Sequence, residues 1–223
     1  MKRQLAPTVI ALAVLTVVVV VRVELRHRDV EERLRTSREA RAAVDAVPRC
    51  ARSAYGTDAA FHACRYERAV DRVAAASASG LRFRFLGDAA VTALDAGRPD
   101  DARRWLREAR AAIGAAGDDD DVGETPEKAA VAEGRLALLD GDRATARDRL
   151  LASARALTEA TQLSFGPNAT LARDLLAAGD TAAVRAYLAA LDTTWTDGAD
   201  KVAAWRAALD QGEGPDFGAN LVY

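Results

Sequence analysis

A leucine three residues before a glycine, a small apolar residue five after it and a second leucine nine after it recur three times in this chain. The copies are Leu94-Asp95-Ala96-Gly97 with Ala102 and Leu106, Leu138-Leu139-Asp140-Gly141 with Ala146 and Leu150, and Leu176-Ala177-Ala178-Gly179 with Val184 and Leu188. The glycines stand 44 and 38 residues apart. A glycine after an apolar helical stretch stops the helix in the left-handed conformation, which costs it no Cβ clash. Pro99, Asp142 and Asp180-Thr181 then supply helix-start chemistry for a second helix. The small residue lets the two helices approach, and the leucine four positions on lies one turn further along the same face. A single pair of this kind cannot bury its apolar face, so the pattern predicts pairs that stack on one another.

Three such pairs are expected: Leu81–Leu94 with Pro99–Ala116, Pro126–Asp140 with Arg143–Leu157, and Pro167–Ala178 with Thr181–Leu191. A last helix, Gly198–Leu209, carries Val202, Trp205 and Leu209 on one stripe and caps the stack. Ahead of the repeats, Asp58–Ala76 reads as an amphipathic helix with Phe61, Cys64, Val70 and Val73, ended by Ser77–Gly80. Composition agrees with an all-α fold. Hydrophobic residues are 50% of the 223 but aromatics only 5%, with Ala, Leu and Arg, all strong helix formers, prominent. Beyond the N-terminal segment, the β-branched and aromatic runs of a sheet are missing.

That N-terminal segment is an apolar run, Leu5–Val21, preceded by Lys2 and Arg3 and closed by five valines before Arg22. Seventeen residues span about 25 Å as a helix, short of the ~30 Å hydrocarbon core. Val23 and Leu25 extend it if Arg22 snorkels. The run exceeds a cleavable leader's apolar region, and charged residues follow it where a cleavage motif would stand. It is therefore read as an uncleaved single-pass anchor. Residues 1–25 form the anchor, 26–56 a helical stalk and connector broken at Pro48, 57–211 the repeat domain and 212–223 a tail.

Cys50 and Cys64 are the only cysteines. With His27 and His62 as the only histidines, a four-ligand metal site is not available. A disulfide between the two cysteines is the simpler reading, against two unpaired buried thiols. It implies an oxidising compartment and places the domain outside the cytoplasm.

Other motifs narrow the function classes. The net charge of −2, from 31 basic and 33 acidic residues, excludes the basic footprint of a nucleic-acid binder. Arginines alternate with acids as on a solvated helix face. The run Asp118–Asp121 lacks the alternation, glycine and closing glutamate of a calcium loop. No G-x-S-x-G, H-E-x-x-H or phosphate-binding glycine loop occurs, so no catalytic, cofactor or metal residues are assigned. Trp105, Trp195 and Trp205 read as packing between helices, or else as anchors in a binding groove. The tail, ending Phe217-Gly218-Ala219-Asn220-Leu221-Val222-Tyr223, either docks a partner or closes the protein's own core.

Leu-x-x-Gly followed by Ala and Leu, over about residues 81–211, resembles the tetratricopeptide repeat and its degenerate relatives, although the copies are longer and lack an early aromatic. The last third, with Ser164-Phe165-Gly166-Pro167-Asn168, Leu171-Ala172-Arg173-Asp174-Leu175-Leu176 and Pro215-Asp216-Phe217-Gly218-Ala219-Asn220-Leu221-Val222-Tyr223, resembles a family of bacterial tetratricopeptide-like proteins with no assigned activity. The resemblance implies an α-solenoid in a bacterial envelope setting. The resulting expectation is a membrane-anchored, extracytoplasmic, non-catalytic scaffold that binds a protein or peptide. Two alternatives stand beside it. One is an enzyme or enzyme accessory acting on an envelope polymer such as peptidoglycan, marked by a pocket with two convergent acids or His62. The other is a structural subunit of an envelope complex.

Overall fold

The computed structural model describes residue 22 and residues 26–32, 34–76, 81–116, 123–157 and 160–222. The apolar run Leu5–Val21, the break Ser77–Gly80, the aspartates Asp118–Asp121 and Tyr223 lie outside the described residues. Among the described residues there is no strand, and no helix is long and apolar enough to cross a membrane. The protein is all-α. Its helices are α1 (Asp58–Ala75), α2 (Leu86–Asp95), α3 (Pro99–Ala115), α4 (Thr125–Leu139), α5 (Arg143–Arg155), α6 (Ala160–Phe165), α7 (Thr170–Ala177), α8 (Thr181–Thr194) and α9 (Ala199–Asp210).

The repeat glycines sit at the ends of α2, α4 and α7. Gly97, Gly141 and Gly179 have φ of 70°, 84° and 81°. At each turn the glycine N–H donates to the carbonyl three residues back. The next N–H donates to the carbonyl five residues back: Arg98 to Ala93, Asp142 to Ala137 and Asp180 to Leu175, at 2.8, 2.8 and 2.9 Å. This double hydrogen bond satisfies carbonyls that a helix end leaves open. The following helix then starts by its own chemistry. Pro99 occupies the first turn of α3. Asp142 and Asp180 cap α5 and α8 by accepting from Thr145 N and Ala183 N at 3.0 and 3.2 Å. A fourth turn of the same kind ends α9 at Gly212, with φ of 77° and Glu213 N donating to Ala208 O.

The pairs α2/α3, α4/α5 and α7/α8 pack within themselves. The first helices α1, α2, α4 and α7 touch in succession, as do the second helices α5, α8 and α9. The small residue after each turn lies at the seam: Ala102, Ala146 and Val184 are wholly buried, as are Leu150 and Leu188. At two places the first helices approach so closely that no Cβ fits. A Cβ on Gly87 would lie 2.8 Å from Lys128 Cβ and 3.0 Å from Thr125 Cα, and one on Gly134 would overlap Leu171.

Two expected helices differ in detail. Leu81–Leu94 is not one α-helix: Arg82–Phe85 is a 3₁₀ turn before α2. The Thr125 hydroxyl donates to Phe83 O at 2.6 Å and so occupies a carbonyl of that turn. Pro167–Ala178 begins only at Thr170: ahead of it the Asn168 side chain accepts from Thr170 N at 3.1 Å in a local turn. The connector before it holds the short α6. Residues 26–32 and 34–45 are helical. Val30 and Leu34 there are exposed whereas Ala40 and Val44 are buried, so only the far end of the expected stalk joins the core.

Candidate functional site

Phe61, Arg65, Arg68 and Arg72 follow one another at four, three and four residues on α1, a spacing that puts them on one helix face. That face forms one wall of a solvent-open cleft of ≈ 650 Å³. The facing wall comes from Phe85 at the end of the 3₁₀ turn, Asp88 and Thr92 one turn apart on α2, and Lys128 on α4 with Glu124 just before it. Ala69 on α1, Arg84 in the 3₁₀ turn, and Arg49, Cys50 and Val222 complete the lining. Cys50 and Cys64 form a disulfide with Cα atoms 6.1 Å apart, which pins the connector bearing Arg49 to α1.

The wall is mainly cationic, and most of its charges are already matched. Lys128 Nζ reaches Asp88 Oδ1 at 2.5 Å and Glu124 Oε2 at 2.6 Å. The two carboxylates hold the ammonium charged and raise its pKa against a burial that would lower it. Arg72 Nη1 lies 3.1 Å from Asp88 Oδ2, and its guanidinium is stacked 4.3 Å over the Phe85 ring. The Asp88 carboxyl is buried, which raises its pKa, but Lys128 and Arg72 outweigh that and hold it below the usual range. Arg68 differs in having no ion pair among the described residues. Its Nε, like that of Arg72, is sealed from solvent and has no hydrogen-bond partner among them. Burial, and then the neighbouring Arg72 charge, lower its pKa.

Behind the cleft a chain of buried charges links the first helices. Arg65 Nη1 donates to Asp95 at 3.0 Å, and Arg135 Nη1 donates to the other Asp95 oxygen at 2.8 Å. Arg135 Nε donates to Asp174 at 2.7 Å, and Asp174 also accepts from Arg173. The side chains of Asp95, Arg135 and Arg65 are only 2%, 9% and 11% exposed. Arg65 Nη2 also donates to Val222 O at 2.7 Å, tying the tail to α1.

A second set of pairs joins the turns. Arg103 donates to Asp140 and Arg147 to Asp180 at 2.7 and 2.5 Å, and Arg185 pairs with Asp210. Each arginine stands six residues after its repeat glycine, and each aspartate lies at a turn of the neighbouring pair. This arginine recurs in all three copies, yet reading the charged residues as solvated faces passed over it. The same reading passed over the α1 arginines, whose signal was their shared spacing with Phe61.

The other candidate residues lie elsewhere. The repeat glycines form turns and do not line the cleft. Trp105, Trp195 and Trp205 are 7%, 1% and 5% exposed and are packed. Their indole N–H groups donate to Tyr66 Oη, Leu163 O and Asp216 O. His62 is not on the cleft wall. It lies beside Phe61, with ring centroids 5.7 Å apart and the planes tilted by 50°, and burial lowers its pKa. The tail closes the core. Phe217 lies edge-on to Trp205, Asn220 O accepts from Ala169 N at 2.8 Å, and Asn220 Nδ2 donates to Phe165 O and Pro167 O at 3.1 and 2.9 Å. The two separated motifs of the last third therefore meet in one hydrogen-bonded contact. Beneath them Glu127 is buried, accepts from Asn168 N at 2.9 Å and has its pKa pushed up to about 8 by desolvation. Among the described residues no three His, Cys, Asp or Glu side chains gather as a metal site. No family model, curated protein or solved structure matches the chain.

Proposed function

We propose that this chain is a non-catalytic scaffold of tetratricopeptide-like helix pairs, an α-solenoid held at a bacterial membrane by Leu5–Val21, with its helical domain outside the cytoplasm and a protein or peptide as its partner. The observation that carries the reading is the open cleft on the first helices, built of fixed arginines and apolar side chains on a frame of pairs joined turn to turn by ion pairs. Such a surface suits an extended partner. The Cys50–Cys64 disulfide supports an oxidising compartment, and the anchor would concentrate the domain beside membrane-bound partners. The two acids in the cleft do not favour hydrolysis of an envelope polymer. Asp88 and Glu124 both spend their charge on Lys128, and Asp88 stays ionised instead of holding the proton a general acid must supply. The test is chemical cross-linking in membranes followed by purification of the full chain from detergent. One protein recovered in stoichiometric amount is expected. Loss of every cross-linked protein, together with turnover of a polymer fragment by the purified chain, would refute the reading.

A further inference from the structure

Two of the cations lining the cleft, Arg68 and Arg49, have no ion pair among the described residues. Lys128 and Arg72 are neutralised by Asp88 and Glu124, and Arg65 is held by Asp95 and by the Val222 carbonyl. Arg68 has no carboxylate within ion-pair distance among the described residues, and its Nε is cut off from water. Arg68 as a whole is only half-buried, so an anion entering the open cleft could meet its unpaired guanidinium charge. Arg49 on the rim is likewise without an ion-pair partner among the described residues and adds to the local excess of positive charge.

We propose that this cleft docks an acidic segment of the partner protein. One carboxylate is received by Arg68 in the two-pronged geometry that a guanidinium offers. A second is met by Arg49, and an apolar side chain between them lies against Phe61, Ala69 and Phe85. This deepens the scaffold reading and rests on it. The size and the mixed lining select a peptide over a lone oxyanion. A cleft of ≈ 650 Å³ is in the range that takes a ligand of several groups, and a single phosphate would leave the aromatic half empty. The receiving surface is also ordered in advance. The Arg72 guanidinium rests on Phe85 and that of Arg65 lies 5.9 Å from the Phe61 centroid, so less side-chain freedom is lost on binding.

The test uses the full chain in nanodiscs of uncharged lipid and fluorescein-labelled hexapeptides with two glutamates spaced one to four residues apart around a leucine. Matched glutamine peptides serve as controls. Fluorescence anisotropy should show saturable binding of glutamate peptides that weakens as salt rises. Arg68→Gln should weaken it by about tenfold or more, the value of a charge-assisted hydrogen bond. Arg68→Lys should fall between the two, and Arg155→Gln on the exposed face of α5 should change nothing. Because Arg68 has no hydrogen-bond or ion-pair partner to lose among the described residues, Arg68→Gln should melt no lower than the parent, so lost binding cannot be assigned to unfolding. Equal binding of glutamate and glutamine peptides, or unchanged affinity in Arg68→Gln, overturns the proposal. Displacement by inorganic phosphate below the peptide's own dissociation constant also overturns it and makes the cleft a small-anion site. If the protein recovered by cross-linking still cross-links fully to Arg68→Gln, the acidic-segment proposal falls while the scaffold reading stands.

Discussion

Asp95 closes α2 and accepts from two guanidinium groups at once, Arg65 on α1 and Arg135 on α4, at 3.0 and 2.8 Å. Asp95→Asn keeps the shape and removes the charge. The side chains involved are only 2%, 11% and 9% exposed, so water cannot replace the lost anion. Removing one partner of a buried pair costs roughly 3–5 kcal/mol, chiefly because the other charge is left buried. Here both cations keep one acceptor, Val222 O for Arg65 and Asp174 for Arg135, which places the loss at the low end, about 3 kcal/mol. In a domain of this size that is a fall of roughly 6–12 °C in Tm. Urea unfolding followed by far-ultraviolet circular dichroism measures it. The exposed pair Arg103–Asp140, with side chains 37% and 58% exposed, is the internal control, and Arg103→Gln should cost under about 1 kcal/mol. A second readout tests the electrostatics alone. The Asp95 charge is the one influence that raises the His62 pKa against burial, so Asp95→Asn should lower the His62 pKa further when titrated by NMR. A loss under about 1 kcal/mol with an unmoved His62 titration would show that the buried chain of charges does not hold the first helices together, and the account of how they are joined would be wrong.

Gly87 and Gly114 should respond to alanine with opposite signs. At Gly87 the new Cβ meets Lys128 Cβ and the Thr125 backbone, and overpacking of about 1–3 kcal/mol should exceed the helix-propensity gain of about 1 kcal/mol. At Gly114 nothing lies within 4 Å, so Gly114→Ala should raise the urea midpoint. Glu127 makes stability fall as pH rises. Its folded pKa of about 8 stands above the unfolded value of 4.5, so between those pH values the folded state binds the extra proton and each unit of pH costs about 1.4 kcal/mol. Glu127→Gln should flatten that slope in unfolding curves measured across the window. Tyr187 Oη is buried with no hydrogen-bond partner among the described residues, so Tyr187→Phe should be neutral or stabilise by about 1 kcal/mol in the same assay.

What the sequence disclosed and what it hid divide along a physical line. Turns were legible because their requirement is local: only glycine sits comfortably at φ of 70°, 84° and 81°, so Gly97, Gly141 and Gly179 announce themselves without their neighbours. The helix starts at Pro99, Asp142 and Asp180 are legible for the same reason. The cleft was not. Whether Arg68 is a solvated surface residue or a half-buried cation with no ion pair depends on burial and on Arg72 on its own helix, Asp88 on α2 and Arg49 on the connector. A charge pattern along one helix cannot tell these apart. Asn220 stands in the tail motif, and its hydrogen bonds to Phe165, Pro167 and Ala169 depend on the chain returning over about fifty residues.

Between these extremes lies the arginine six residues after each turn glycine. Its position is written three times in the sequence at a fixed offset, yet its acceptor sits one residue before a turn glycine at Asp140, one after at Asp180 and two before at Asp210. The donor is periodic and the acceptor is not, because a long arginine side chain reaches any carboxylate that a neighbouring turn exposes. A repeat can therefore drift in length, as the spacings of 44 and 38 residues show, without losing the pairing between neighbours. The glycine fixes where each helix ends, the buried alanine or valine five residues on fixes how closely its partner packs, and the arginine tolerates the remaining variation. In a stack built this way, insertions between pairs are absorbed at the connectors, and the cleft on α1, α2 and α4 keeps its shape.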